Sequence, residues 1–324
     1  MVIASPKPSF LAQAWQINKP LTALLVFCAT TFILSILGLF IDPRVTELVG
    51  TPAWAKTFKF STSLMFYAAS LIWALSLLEN RFKKIAGFGG SVVGSVFILQ
   101  MILIIIQAIR VQPLHFNTTT PLDSALWGTM AMANSLMLLG YLVLLVMAWR
   151  GIRTNPVLAW SIRLSLVVTL FGLLQGFLMT SPNPIQEKAL ASGQTAIMIG
   201  AHTVGSSSLV PDSGAGLPLL GWSTTHGDLR IAHFVGLHAL QLLPLFAFWL
   251  LRRRQRWLTD RHSMVLLTIA ALGYSGLIYL LTWQAGRGQS IVAPDVTTLT
   301  AFLGLMGATA LLSFGVIAHA RAKR

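Results

Sequence analysis

Charge is scarce in this chain. Of its 324 residues only 10% are Asp, Glu, Lys or Arg, and nine of those are acidic, whereas soluble domains carry about 25% charged residues. A deficit of this size, spread over the whole length, excludes a soluble globular domain and indicates a polytopic membrane protein. Cysteine is nearly absent. The single Cys28 lies in an apolar run, so the chain can form no intrachain disulfide and no Cys/His metal spacing. Walker loops, dinucleotide fingerprints, GxSxG elbows and HExxH helices are missing too, which removes the usual signatures of nucleotide enzymes, serine hydrolases and zincins. Strand alternation, internal repeats and any polar segment long enough for a soluble domain are also lacking. The net charge of +14 does not point to nucleic acid, because the basic residues are dispersed among apolar runs.

Long apolar runs are what the chain does have. A helix needs roughly 20 apolar residues to cross the hydrocarbon core, and lipid leaves no other way to satisfy the backbone of such runs. Eight stretches qualify, at about 21–41, 60–78, 91–110, 125–149, 159–180, 230–251, 264–284 and 297–319. The first is too long for a signal-peptide core and ends in Asp42-Pro43-Arg44, so it reads as an uncleaved span. The expected fold is an all-α polytopic transmembrane bundle forming one domain over 1–324.

Every second connection is basic. Arg81, Lys83 and Lys84 follow the second span, and Arg150 and Arg153 the fourth. Arg252, Arg253, Arg254, Arg256 and Arg261 follow the sixth, and Arg321, Lys323 and Arg324 the eighth. By the positive-inside rule this alternation predicts cytoplasmic termini at an inner (plasma) membrane. The long outward connection, 181–229, exceeds normal loop lengths. Within it GQTAIMIGAHTVG (193–205) is too apolar for a solvated loop and too short to span, which suits a re-entrant or interfacial segment.

The remaining ionisable residues gather where topology does not ask for them. Lys56, Lys59, Arg110, His115, Asp123, His202, Asp228, Arg230, His233, His238, Arg287 and Asp295 all fall toward the outer ends of spans or in outer loops. On a helical wheel the polar side chains of the sixth span, including Arg230, His233, His238 and Gln241, fit within an arc of roughly 140°. Such an arc should face the bundle interior or a wet cavity, although polar groups also simply join helices. Asp123 and Asn134 share a face of the fourth span, and Gln100, Gln107 and Arg110 share one of the third. Asp228, Asp123 and Asp295 each have the bland role of helix N-cap. Arg230 in a first helical turn is disfavoured by the helix dipole, so it predicts an anionic partner: Asp123, Asp295 or a ligand. Gly172-x-x-x-Gly176 and Gly90-x-x-x-Gly94 predict close helix contacts.

The stretches HFNTTTPLD (115–123), GAHTVG (200–205) and GDLRIAHFVGLHALQLLP (227–244) resemble segments of a family of bacterial multi-spanning inner-membrane proteins. That resemblance implies a fold and a membrane, but no activity, cofactor or substrate.

Three functions are compatible with these features. One is a receptor, carrier or permease for a small anionic or zwitterionic ligand, held by Arg230, His233, His238, Gln241, Asp123, Asn134, His115, His202, Lys59 and Arg110. A second is a membrane redox or metal-dependent enzyme. Here His238 would be the axial candidate for haem, His202, His226 and His233 would combine with Asp212 or Asp228 for a metal, or aromatic and polar groups would hold a quinone. The third is a non-catalytic role in assembly or sensing.

Overall fold

The computed structural model describes residues 9–46, 48–194, 196–253 and 255–323. Its long helices coincide with the apolar runs. They are α2 (Lys19–Ile41), α3 (Ala55–Ser76), α4 (Asn80–Arg110), α5 (Pro121–Gly151), α6 (Pro156–Gln175), α8 (Leu229–Arg252), α9 (Asp260–Gly286) and α10 (Val296–Ala322), with short helices α1 (Phe10–Ile17) and α7 (Pro184–Ala191). All eight long ones have the length and apolarity to cross a membrane. The protein is an all-α, multi-pass helical bundle. Among the described residues, sheet is confined to a two-residue antiparallel pair, Thr203–Val204 with Gly227–Asp228.

Polar side chains start and fix these helices. Asn18, between α1 and α2, accepts from Leu21 N–H at 3.0 Å, and its amide donates to Gly87 O at 2.8 Å and Ser91 Oγ at 3.0 Å on α4. Thr120 caps α5 and Asn155 caps α6, each followed by Pro at the helix start, where a missing N–H costs nothing. Asp228 and Asp295 cap α8 and α10 as expected. Asp123 does not cap α5; it sits in the first turn and donates its N–H to Thr120.

The main core joins α2 through α6 with α8, around buried Leu24, Leu71, Met101, Tyr141, Leu144 and Leu166. Its closest approach is between α6 and α8. A Cβ on Gly172 would lie 2.5 Å from Gly236 carbonyl carbon, and one on Gly236 would lie 2.4 Å from Gly172 Cα, so only glycine permits this crossing. Gly94 likewise lets α4 reach the backbone of Pro20 and Leu21. The small-residue spacings therefore do mark helix contacts. α8 passes unbroken through Pro244, so the helix is not unwound there. α10 lies at the periphery against α9 and is exposed along nearly its whole length.

The connections 42–54, 111–120, 176–228 and 287–295 meet at one end of the bundle. Of the stretch 193–205, residues 196–205 form bends, a bridge at Met198 and the strand Thr203–Val204 rather than helix. It pairs with the turn after α4 through Thr118 N–H to Ile197 O at 3.0 Å and Ile199 N–H to Phe116 O at 2.9 Å. Beneath it Phe116, Met179, Met198, Leu229 and Ala285 form a separate small core. α7, started by an Asn183 capping box, braces the same segment through Gln186, whose amide bonds both the N–H and the C=O of Gly200.

Candidate functional site

Three groups of polar residues emerge, and the sequence-predicted site divides among them.

The first is a closed network between α4 and α5. Asp123, 1% exposed, accepts from Arg110 at 2.6 Å, Gln107 at 2.8 Å and Thr120 Oγ1 at 2.5 Å. Gln107 also donates to Pro113 O at 3.2 Å, and Asn117 donates to the same oxygen at 2.9 Å. Every strong acceptor position on Asp123 is used, so Arg110 and Asp123 hold two helix ends together.

The second consists of deep pairs that join helices. Gln100 donates to Asn134 Oδ1 at 2.6 Å, about 15 Å down α4 from Arg110 at 1.5 Å per residue. Gln241 donates to Ser70 Oγ at 2.9 Å on α3 and meets His238 Nδ1 at 3.2 Å, with the His238 ring against Phe234. Asn134 and Gln241 thus act as links within the bundle, and His238 supports Gln241 from the same helix.

The third group, at the loop end, brings charges from distant segments together. Arg230 does not pair with Asp123 or Asp295, which are taken by Arg110 and Arg287. Its partner is Asp228, two residues earlier, whose carboxylate accepts Arg230 Nε at 2.9 Å and Nη2 at 2.5 Å while also capping α8. A carboxylate has lone pairs enough for both duties. Arg230 Nη2 donates further to Gly221 O at 2.6 Å, and Lys59 Nζ to the adjacent Leu220 O at 2.6 Å. Lys56, one turn before on α3, lies over the Phe60 ring at 5.9 Å and within electrostatic range of Lys59, Arg230 and Asp212. Among the described residues, no carboxylate forms an ion pair with Lys56 or Lys59.

Two histidines complete this group. His115, on the turn after α4, and His202, in the long connection, meet with Nδ1 and Nε2 3.1 Å apart. His202 Nδ1 is in turn 2.5 Å from Asp212 Oδ2. Asp212 is anchored by the N–H groups of His202 and Thr203, each 3.1 Å from Oδ1. Phe60, Phe116 and Trp127 surround the His115 ring at 5.6–6.2 Å between centroids.

Burial, then the charge of Lys56 and the neighbouring His202, His233 and Arg230, holds His115 well below the ordinary histidine range. Burial also lowers His202, against the opposing pull of Asp212. Burial alone would raise the Asp212 carboxyl; His202, Arg230 and the Thr203 N–H reverse this and keep it ionised.

His233 has a plainer place. Its Nδ1 donates to Gly172 O at 2.7 Å, where α6 tightens into a 3-10 turn and the Gly176 N–H bonds Leu173 O instead. His226 is half-buried and bonds Thr225. Among the described residues, no three His, Cys, Asp or Glu side chains are placed to hold a metal ion.

Two shallow surface depressions lie elsewhere, one lined by Trp149 and Arg150 and one by Tyr279 and Trp283. They carry less convergent chemistry than the charged group. The charge convergence therefore gathers His115, His202, Lys59, Arg230 and neighbouring His233, and leaves out Asp123, Arg110, Asn134, His238 and Gln241. Sequence reasoning grouped Asp212 with His202 only as metal ligands, and missed their direct pairing and the aromatic wall around His115.

No family model, curated protein or solved structure matches the chain. Its function must be argued from the site.

Proposed function

We propose that the protein binds a small anionic or zwitterionic ligand at the loop end of the bundle and acts as its membrane receptor or carrier. The observation that supports this is the convergence of Lys56, Lys59 and Arg230, with Asp212 and Asp228 as the acids beside them among the described residues. Lys59 donates to a backbone carbonyl and Arg230 donates to the adjacent one beyond its Asp228 pair, and carbonyl oxygens are neutral stand-ins for an anion's oxygens. Charged side chains that cluster within a membrane bundle are costly and by default mark a ligand or ion pathway. Arg and Lys together suit a carboxylate, phosphate or sulfate group.

The basic connections lie at the opposite end, with Arg252, Arg253, Arg256, Arg261 and Arg321. The positive-inside rule then supports cytoplasmic termini and a ligand arriving from outside, in a bacterial inner membrane. The test is thermal stability of the purified protein against sulfate, phosphate and small carboxylates, followed by uptake into proteoliposomes. A ligand that stabilises the wild type but not Lys56→Met or Arg230→Gln supports the reading; the absence of any stabilising anion opposes it.

A further inference from the structure

The chain Asp212–His202–His115 has a defined proton order. Asp212 is ionised and can only accept, so the proton in the 2.5 Å contact sits on His202 Nδ1. Neutral His202 then offers a lone pair at Nε2, and the proton in the 3.1 Å contact belongs to His115 Nδ1. This leaves His115 Nε2 unprotonated at the free end of the chain, and among the described residues no side chain or backbone group hydrogen-bonds it. The tautomers all follow from the one anchored carboxylate.

A proton arriving at His115 Nε2 has a place to go. His115 Nδ1–H passes its proton to His202 Nε2, and His202 becomes an imidazolium against Asp212. His115 is left neutral, now protonated on Nε2. Bonds and charge balance: one proton is added, and the positive charge ends beside the carboxylate.

What opposes this step is the positive field around His115. Lys56 on α3 and Arg230 and His233 on α8 face it, with Lys59 beyond them; Asp212 and Asp228 are the negative groups of the same cluster. An anion seated on Lys56, Lys59 and Arg230 cancels part of that field. Building on the ligand reading above, we propose that the site takes up its anion together with a proton, received at His115 and stored on His202 against Asp212. By linkage the coupling is reciprocal, so acidity must strengthen anion binding as the anion strengthens proton binding.

Sulfate is the probe, because it keeps its charge from about pH 5 to 8 and any proton counted belongs to the protein. Titrated into the full-length protein in weak buffer, sulfate should draw in roughly one proton per ion bound. Its affinity should rise by up to about tenfold per unit fall in pH. His115→Gln and His202→Gln should bind sulfate without proton uptake. Sulfate binding by the wild type with no proton uptake overturns the proposal, as does uptake that persists in His115→Gln. The tautomers are tested separately, without ligand or mutation, by nitrogen-15 NMR of labelled histidine. Both His115 and His202 should carry their proton on Nδ1; a proton on His115 Nε2 overturns the relay. Should sulfate fail to bind while the tautomers are as stated, the anion reading fails and the proton chain stands.

Discussion

Lys59 and Arg230, from helices α3 and α8, donate to adjacent carbonyls of one turn, Leu220 O and Gly221 O, each at 2.6 Å. The turn is otherwise held by Gly221 N–H to Leu217 O at 2.8 Å and Leu217 N–H to Trp222 O at 2.8 Å. Leu219 within it has a φ of +64°, a left-handed conformation that costs a non-glycine residue roughly 1–2 kcal/mol. Two cations therefore secure a segment whose own backbone is unfavourable. Lys59→Met should loosen it, with faster amide hydrogen exchange over 216–223 and little change in α4 or α5. Unchanged exchange in that turn would show that Lys59 does not hold it.

The Arg110–Asp123 network predicts a stability effect rather than a ligand effect. Asp123→Ala removes the acceptor for Arg110, Gln107 and Thr120 at once. Breaking a buried pair from one side costs about 3 kcal/mol. The variant should melt clearly below wild type in detergent while any anion-induced stabilisation persists. Loss of anion response at unchanged stability would move Asp123 into the binding site.

The α6–α8 crossing predicts a contrast between two glycines. Gly236→Leu must push Gly172 away, and overpacking of this kind costs about 1–3 kcal/mol or more. Gly176 has only the His233 ring nearby, at 3.5 Å from an added Cβ, so Gly176→Ala should be tolerated. The melting temperatures of the two variants decide this; equal values contradict the close crossing.

Acid should destabilise the ligand-free protein. His115 is held below the ordinary histidine value of 6.5 by burial and nearby positive charge. As pH falls through about 6.5 the unfolded chain binds more protons than the folded one, so the stability contributed by neutral His115 is lost on acidification. Melting temperature should drop from pH 7 toward pH 5, less steeply in His115→Gln, and less steeply with sulfate present. A pH-independent melting temperature opposes the assignment.

The fold was legible because hydrocarbon imposes a simple rule: a long apolar run must be a helix. Hydropathy misplaces the ends, since charged residues lower it without breaking a helix. α4 begins at Asn80, and carries Arg81, Lys83 and Lys84 inside it. The site was legible residue by residue and not as pairs. The sequence shows that Arg230 needs an acid but gives Asp228 the role of a cap, and one carboxylate serves both. His202 and Asp212 are grouped by the sequence only as metal ligands, and their direct pairing was hidden because the stretch joining them has no periodicity from which a shared face can be read. The helical-wheel arc of α8 holds polar groups that link helices, at His233 and Gln241, and His238 that bonds within α8, as well as Arg230 in the charged group. Angle alone does not separate those roles.

The most direct test of the account is equilibrium binding of sulfate and small carboxylates to purified wild-type protein and to Lys56→Met. Among the described residues Lys56 makes no ion pair, so its removal leaves no orphaned acid there and should spare the fold. The account predicts saturable binding to wild type and at least a tenfold loss in Lys56→Met at an unchanged melting temperature. Equal affinity in the two proteins, or no saturable binding to wild type, would contradict it.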